Sequence, residues 1–330
     1  MPVRHPPVLI QMPPGYPFPD PESVNRYQWA ARRKARRKQL RTSVILFVLT
    51  FISTTLAGSG FGQLLLIPSL FGGEPAVALK LMLQLTLQGF TYSIPLMTIL
   101  LCHEMGHFLQ AVRYRVPASF PYFIPLPIPP LGTMGAVIFQ GRGAADRKQM
   151  FDIAISGPLA GLIVTLPVLY YGISQSQIVV IPPEAVGMRF GEPLIVVWMI
   201  ERILGPLPEG GQITHNGFYM AGWVGIFITA LNLLPVGQLD GGHILYTLIG
   251  RKAHWVAFSV IAFGVGAMVY SNKVSYVLLI VLLLLTGPRH PPTADDTVPL
   301  GRTRTILGWL TLAFLIIGFT PQPIIVPEGS

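Results

Sequence analysis

Two histidines stand four positions apart, with a glutamate beside the first, in Leu100-Leu101-Cys102-His103-Glu104-Met105-Gly106-His107-Phe108-Leu109. The rest of that run is almost wholly apolar. On a helix, residues i and i+4 share a face, so His103 and His107 can hold one metal ion together. Glu104 projects about 100° further round the axis, where it can take a proton from water but is poorly placed to be a ligand beside both rings. Zinc-assisted hydrolysis divides its labour in that way. A hydrolytic zinc site takes three protein ligands and leaves a fourth position for water, so a third ligand must come from elsewhere in the chain.

The best candidate is Asp240, in Asn232-Leu233-Leu234-Pro235-Val236-Gly237-Gln238-Leu239-Asp240-Gly241-Gly242-His243. An aspartate at the centre of a membrane helix costs about 2.5 to 3.5 kcal/mol unless a partner offsets it. Pro235, Gly237, Gly241 and Gly242 break the helix around it, so the carboxylate can be aimed inward. Two other readings stand beside this one. Asp240 could cap a helix starting near Gly242, or His243 could be the ligand or a partner behind it. Asn232 is read as a polar group facing the site, its amide able to steady a tetrahedral oxyanion, with neutral helix packing as the competing role. A His-Glu-x-x-His string arises by chance in soluble helices, but ionisable residues inside a membrane span are functional by default.

The elements that must position these residues follow from composition. Of 330 residues, 51% are hydrophobic and only 11% charged, against about a quarter charged in soluble domains. Such a chain is an integral membrane protein whose medium is the lipid bilayer. The net charge of +9 suggests nucleic acid, but the basic residues are not interleaved with aromatics and abut an apolar run, so no nucleic-acid partner is expected. The single cysteine, Cys102, excludes an intramolecular disulfide.

Residues 1–25 are rich in proline and read as a disordered extension. The basic run from residue 32 to 41 precedes an apolar stretch over 42–57, which keeps the N-terminus cytoplasmic. A second span is expected to begin near Phe90 and end at Arg113, placing the histidines toward its cytoplasmic half. Six prolines between 117 and 130 forbid a helix there, while residues 131–140 read as a turn followed by a strand. This apolar, irregular segment is read as re-entrant beside the metal site, the alternative being a loop lying on the bilayer. A third span over 148–172 contains Ser156-Gly157-Pro158-Leu159-Ala160-Gly161, whose small residues would let another helix approach. Residues 174–212 suit an outside loop with a membrane-hugging helix near 193–204, too short for a folded peptide-binding domain. Further spans are expected at 223–234, 254–270, 274–287 and 305–320. His5, His215, His254 and His290 lie at ends or in loops and read as interfacial.

His-Glu-Met-Gly-His in one span, Ser-Gly-Pro-Leu-Ala-Gly in the next and Asn-Leu-Leu-Pro-Val-Gly-Gln-Leu-Asp-Gly-Gly-His after a further one together resemble the site-2 protease family of intramembrane zinc metalloproteases. The resemblance covers about residues 90–250. It implies His103, His107 and Asp240 as ligands of one Zn²⁺, Glu104 as catalytic base, Asn232 as the asparagine of the family's Asn-x-x-Pro-x-x-x-Leu-Asp-Gly motif, and a re-entrant element around Gly132 to Ala136 near the substrate groove. No PDZ domain of the kind some members carry is expected between these motifs.

The expected fold is therefore an all-α polytopic membrane protein, with about six transmembrane helices and a short re-entrant β-like segment. Its divisions are a disordered Pro-rich and basic cytoplasmic extension (1–41), a metalloprotease core (42–290) and a linker with a C-terminal span (291–330). The expected activity is peptide-bond hydrolysis in membrane-protein substrates, most simply single-span ones, within a bacterial inner membrane. The competing class is a non-hydrolytic metal-ion carrier or membrane scaffold, which has no need of Glu104 beside the first histidine.

Overall fold

A computed structural model describes residues 21–60, 75–128, 131–141, 143–180, 189–271, 287 and 289–325. The proline-rich residues 1–20 lie outside the described residues, as does nearly all of the span expected at 274–287. Two compact units divide the chain, Met1–Thr42 and Ser43–Ser330, and the site described below lies wholly in the second.

The architecture is mostly helical: α1 (Pro21–Gly58), α2 (Pro75–Arg113), α3 (Arg147–Ser174), α4 (Leu194–Leu204), α5 (Gly217–Asn232), α6 (Asp240–Ile249), α7 (Ala253–Ser271) and α8 (Arg302–Gly318). Helix α1 starts well before the expected residue 42, because Ala, Arg, Lys, Gln and Leu of the basic run are strong helix formers and carry the helix through it. Pro21 and Pro75 sit at first-turn positions, where a missing N–H costs nothing. Helix α3 opens with a capping box: Asp146 accepts the Gln149 amide at 2.8 Å, and the Gln149 side chain accepts the Asp146 amide at 3.1 Å.

Four stretches among the described residues are long and apolar enough to cross a bilayer: Arg33–Gly58, Leu79–Arg113, Arg147–Ser174 and Asp240–Tyr270. About six are expected from the sequence. At 16 residues, or about 24 Å, α5 is apolar but short for an independent crossing, and α8 has 17 residues. Large apolar side chains on the long helices face outward, Ile163 at 72% and Phe263 at 79% exposure, as a lipid-facing surface requires.

The main core lies where α2, α3 and α5 meet, with Tyr92, Leu96, Leu100, Leu169, Trp223 and Ile226 buried together. Between α2 and α3 the chain forms an antiparallel hairpin, β1 (Tyr122–Pro125) with β2 (Thr133–Val137), in the register Tyr122↔Val137 and Phe123↔Ala136. The strand expected within 131–140 is β2; its partner β1 was hidden among prolines and ends on one, Pro125. Side chains from α1 and α2 hold the hairpin by its carbonyls. Ser43 donates to Pro121 at 2.5 Å, Ser53 to Gly132 at 2.6 Å and Tyr92 to Leu131 at 2.8 Å. Short strand pairs β3 (Ile178–Val180) with β5 (Gly211–Ile213) and β4 (Arg189–Phe190) with β6 (Ile324–Ile325) organise the connections at the other end. The helix expected near 193–204 is α4.

Candidate metal centre

Helices α2 and α3 approach closely because glycines face each other across their contact. A Cβ on Gly106 would overlap the Ser156 carbonyl, and one on Gly157 would overlap Nε2 of His107 itself. A Cβ on Gly161 would lie 3.2 Å from Nδ1 of His103. The small residues at 157 and 161 thus do more than admit a neighbouring helix: they leave the volume that the two imidazoles occupy.

Placed in that volume, His103, Glu104 and His107 are 4%, 5% and 8% exposed, so each ring or carboxylate depends on protein partners. Nδ1 of His107 lies 2.8 Å from the Ile153 carbonyl, which can only accept. The proton therefore sits on Nδ1, and the Nε2 lone pair faces the site.

Asp240 reaches the histidines because the chain between α5 and α6 doubles back. Gly237 takes a positive φ of 56°, and a Cβ at Gly241 would overlap the Leu233 carbonyl. Helix α6 starts at Asp240, yet the carboxylate does not cap it. Instead Oδ2 lies 3.2 Å from Nε2 of His103, and Oδ1 lies 3.3 Å from Nε2 of His107. The two Nε2 atoms are 3.2 Å apart. Zinc bonds of about 2.0–2.1 Å at the tetrahedral angle put ligand atoms about 3.3 Å apart, and the two ring nitrogens, each with its nearer carboxylate oxygen, stand at separations that suit one metal ion. They form the one group among the described residues that could hold a metal ion.

Asn232, the last residue of α5, brings its amide to 3.3 Å from Nε2 of His103. Glu104 is not in that group but lines the same cavity, of about 160 Å³, as its three side chains. Residues 136–138 at the end of β2 form one wall, and Ile153 and Ala154 of α3 another.

His243 also lines the cavity, but its Nδ1 is engaged by Nε2 of His290 at 2.5 Å, so it stands behind Asp240 instead of beside the histidines. His290 is not interfacial, as its loop position suggested: it is 5% exposed and packed against α6. The Ile153 carbonyl is not legible in the sequence, since a backbone acceptor leaves no trace in residue type.

Residues 91–272, just over half the chain, match the model of peptidase family M50. The chain is 27% identical over 287 residues to a probable zinc metalloprotease, EGY2, chloroplastic, of Arabidopsis thaliana, covering 83% of this chain and 50% of that protein. It is 30% identical over 265 residues to a probable zinc metalloprotease, EGY1, chloroplastic, of Oryza sativa subsp. japonica, covering 76% of this chain and 42% of that one. The chain thus spans about half the length of the curated relatives it matches. The match takes in the His-Glu-x-x-His helix, its glycine seat on α3 and the Asp240 turn together, and on that ground the chain belongs to peptidase family M50, the site-2 protease family.

Proposed function

We propose that this protein is an intramembrane zinc metalloprotease that hydrolyses peptide bonds of membrane-protein substrates within or near the bilayer. One observation carries the reading: two imidazole nitrogens 3.2 Å apart each lie 3.2–3.3 Å from an oxygen of one carboxylate, drawn from a helix well over a hundred residues away, beside a buried glutamate. The donor set of two nitrogens and one carboxylate, with one ring's tautomer fixed by a carbonyl behind it, suits zinc. His103, His107 and Asp240 would hold the ion. When bound, Zn²⁺ supplies a Lewis acid that acidifies water and polarises a carbonyl.

The chain's own groups do the rest. Glu104, facing the cavity, accepts the proton of the attacking water and delivers it to the leaving amine. The Asn232 amide, beside His103, is placed to steady the developing oxyanion. A substrate helix has its backbone already bonded, so the target must unwind. Strand β2 has a partner on one side only among the described residues, and its end walls the cavity, so an extended substrate segment can add along the other edge.

The setting belongs to the same proposal. The hairpin is a re-entrant element, α5 and α8 raise the crossings from four to about six, and the substrate is a single-span protein. The basic run ahead of the first span supports a cytoplasmic N-terminus, and the bilayer of this proposal is a bacterial inner membrane, although the named relatives are chloroplastic. The functional divisions remain 1–41, 42–290 and 291–330.

Glu104→Gln tests the reading. The variant should bind one zinc per chain as the wild type does and should not cleave a single-span membrane protein in proteoliposomes. Undiminished cleavage would remove Glu104 from the mechanism.

A further inference from the structure

Residues 289–304 lie beyond the stretch that matches the family and supply none of the candidate ligands. They nevertheless bind, through directional contacts, the two helices behind the metal centre. At one end the His290 ring lies edge-on to His243, with centroids 4.6 Å apart at 90°, and stacks on Tyr246 at 4.3 Å and 17°. Its Nε2 pairs with Nδ1 of His243, which sits one turn after Asp240 on α6. The Tyr246 hydroxyl donates to Asp296 at 2.9 Å, and Asp296 also takes the Thr293 hydroxyl at 2.6 Å, so the segment grips α6 twice.

The middle of the segment is bonded to the start of α3. The Ala294 amide donates to the Ala145 carbonyl at 2.8 Å, and the Arg147 amide donates to the Asp295 carbonyl at 3.1 Å. At the far end the Arg304 guanidinium spans both oxygens of Asp152, at 2.7 and 3.0 Å. Asp152 also accepts the Tyr114 hydroxyl just beyond the end of α2. The residue after Asp152 is Ile153, whose carbonyl holds Nδ1 of His107.

We infer that residues 289–304 form a strap that sets the positions of Asp240 and His107, with His290 and Arg304 as its positioning residues. One end of the strap acts on Asp240 through His243 and α6. The other acts on His107 through Asp152 and the neighbouring carbonyl. Burial and the adjacent His243 hold the His290 imidazole far down, at about 3, so it serves as a neutral hydrogen-bond partner around pH 7 and not as a charge. Leu300 packs into the core beside Phe151 and Ile244, which is enough to anchor α8. The segment adds directional polar contacts, through the buried His290 and Thr293 and the partly exposed Arg304, that end one residue or one turn from the ligand machinery.

The inference rests on the metal reading above, and its test keeps the two apart. Full-length protein in nanodiscs is titrated with zinc against a competing chelator, and the unfolding temperature of the metal-free form is measured alongside. Gln at 290 can place its amide nitrogen where Nε2 lies, whereas Leu cannot bond. His290→Leu should weaken zinc binding by about tenfold or more, and His290→Gln should stay within about threefold of wild type. Arg304→Lys offers a point charge in place of a two-pronged contact and should weaken zinc binding by several-fold. If His290→Leu and Arg304→Lys bind zinc as tightly as wild type, the strap is only an anchor, even if both unfold earlier without metal. Should His290→Leu fail to accumulate, unchanged affinity in Arg304→Lys still overturns the inference. A wild-type chain that takes up no zinc would sink the metal reading itself.

Discussion

The Nε2 atoms of His103 and His107 lie 3.2 Å apart, and each faces an oxygen of the Asp240 carboxylate at 3.2 or 3.3 Å. With the His107 proton held at Nδ1, its Nε2 lone pair and the carboxylate turn toward each other, an arrangement that repels unless a cation sits between them. That is why His103, His107 and Asp240 cannot be dismissed as satisfied core residues, and why Glu104, buried beside them but outside the group, reads as the proton carrier. At the other end of the molecule a second buried carboxyl behaves differently. Burial raises Glu192 from 4.5 to about 7, opposed by the hydrogen bond from Tyr219. Between those values the unfolded chain has released this proton while the folded chain retains it, so the group's contribution to stability falls as pH rises from 4.5 to about 7 and then levels. The slope is at most about 1.4 kcal/mol per pH unit. Thermal unfolding in detergent across that range should show this decline in the wild type and lose it in Glu192→Gln.

Among the elements, the α2–α3 contact does most to make the site, and glycine decides it. In an ordinary helix Gly157→Ala would gain up to about 1 kcal/mol of helix propensity. Here the added methyl would occupy the place of the His107 ring, so the expected outcome is loss of bound zinc and of cleavage with helix content unchanged, read by metal analysis and circular dichroism. The hairpin is fixed in the same local way. Ser53→Ala removes one of the two bonds to the Gly132 carbonyl, which keeps the Leu126 amide at 3.3 Å, at a cost of about 0.5–1.5 kcal/mol. Because β2 walls the cavity, this variant should lose turnover while binding zinc as the wild type does. The small-residue motif on α3 was legible in the sequence as a close-approach signal. That it seats the metal ligands was not, because which atom faces a glycine depends on the rotation of both helices.

On the scale of the whole molecule, the candidate ligands from α2 and α6 would tie together parts of the chain joined by little else in the sequence, so metal and stability should be linked. Chelation should lower the unfolding midpoint and zinc should restore it, by about 2.7 kcal/mol at a hundred times the dissociation constant. His103→Ala should show no such response in calorimetry or thermal-shift assays. The sequence by itself determined the membrane class, the histidine pair with its glutamate, and the broken helix that frees Asp240, because an ionisable group in an apolar span costs too much to be idle. Only the tertiary structure decided that Asp240 meets the histidines instead of capping α6, that His243 stands behind it, and that His290 is buried and tied to it. Those outcomes rest on backbone carbonyls, glycine-sized gaps and contacts between distant segments, and none of these is recorded in the type or local spacing of any one residue.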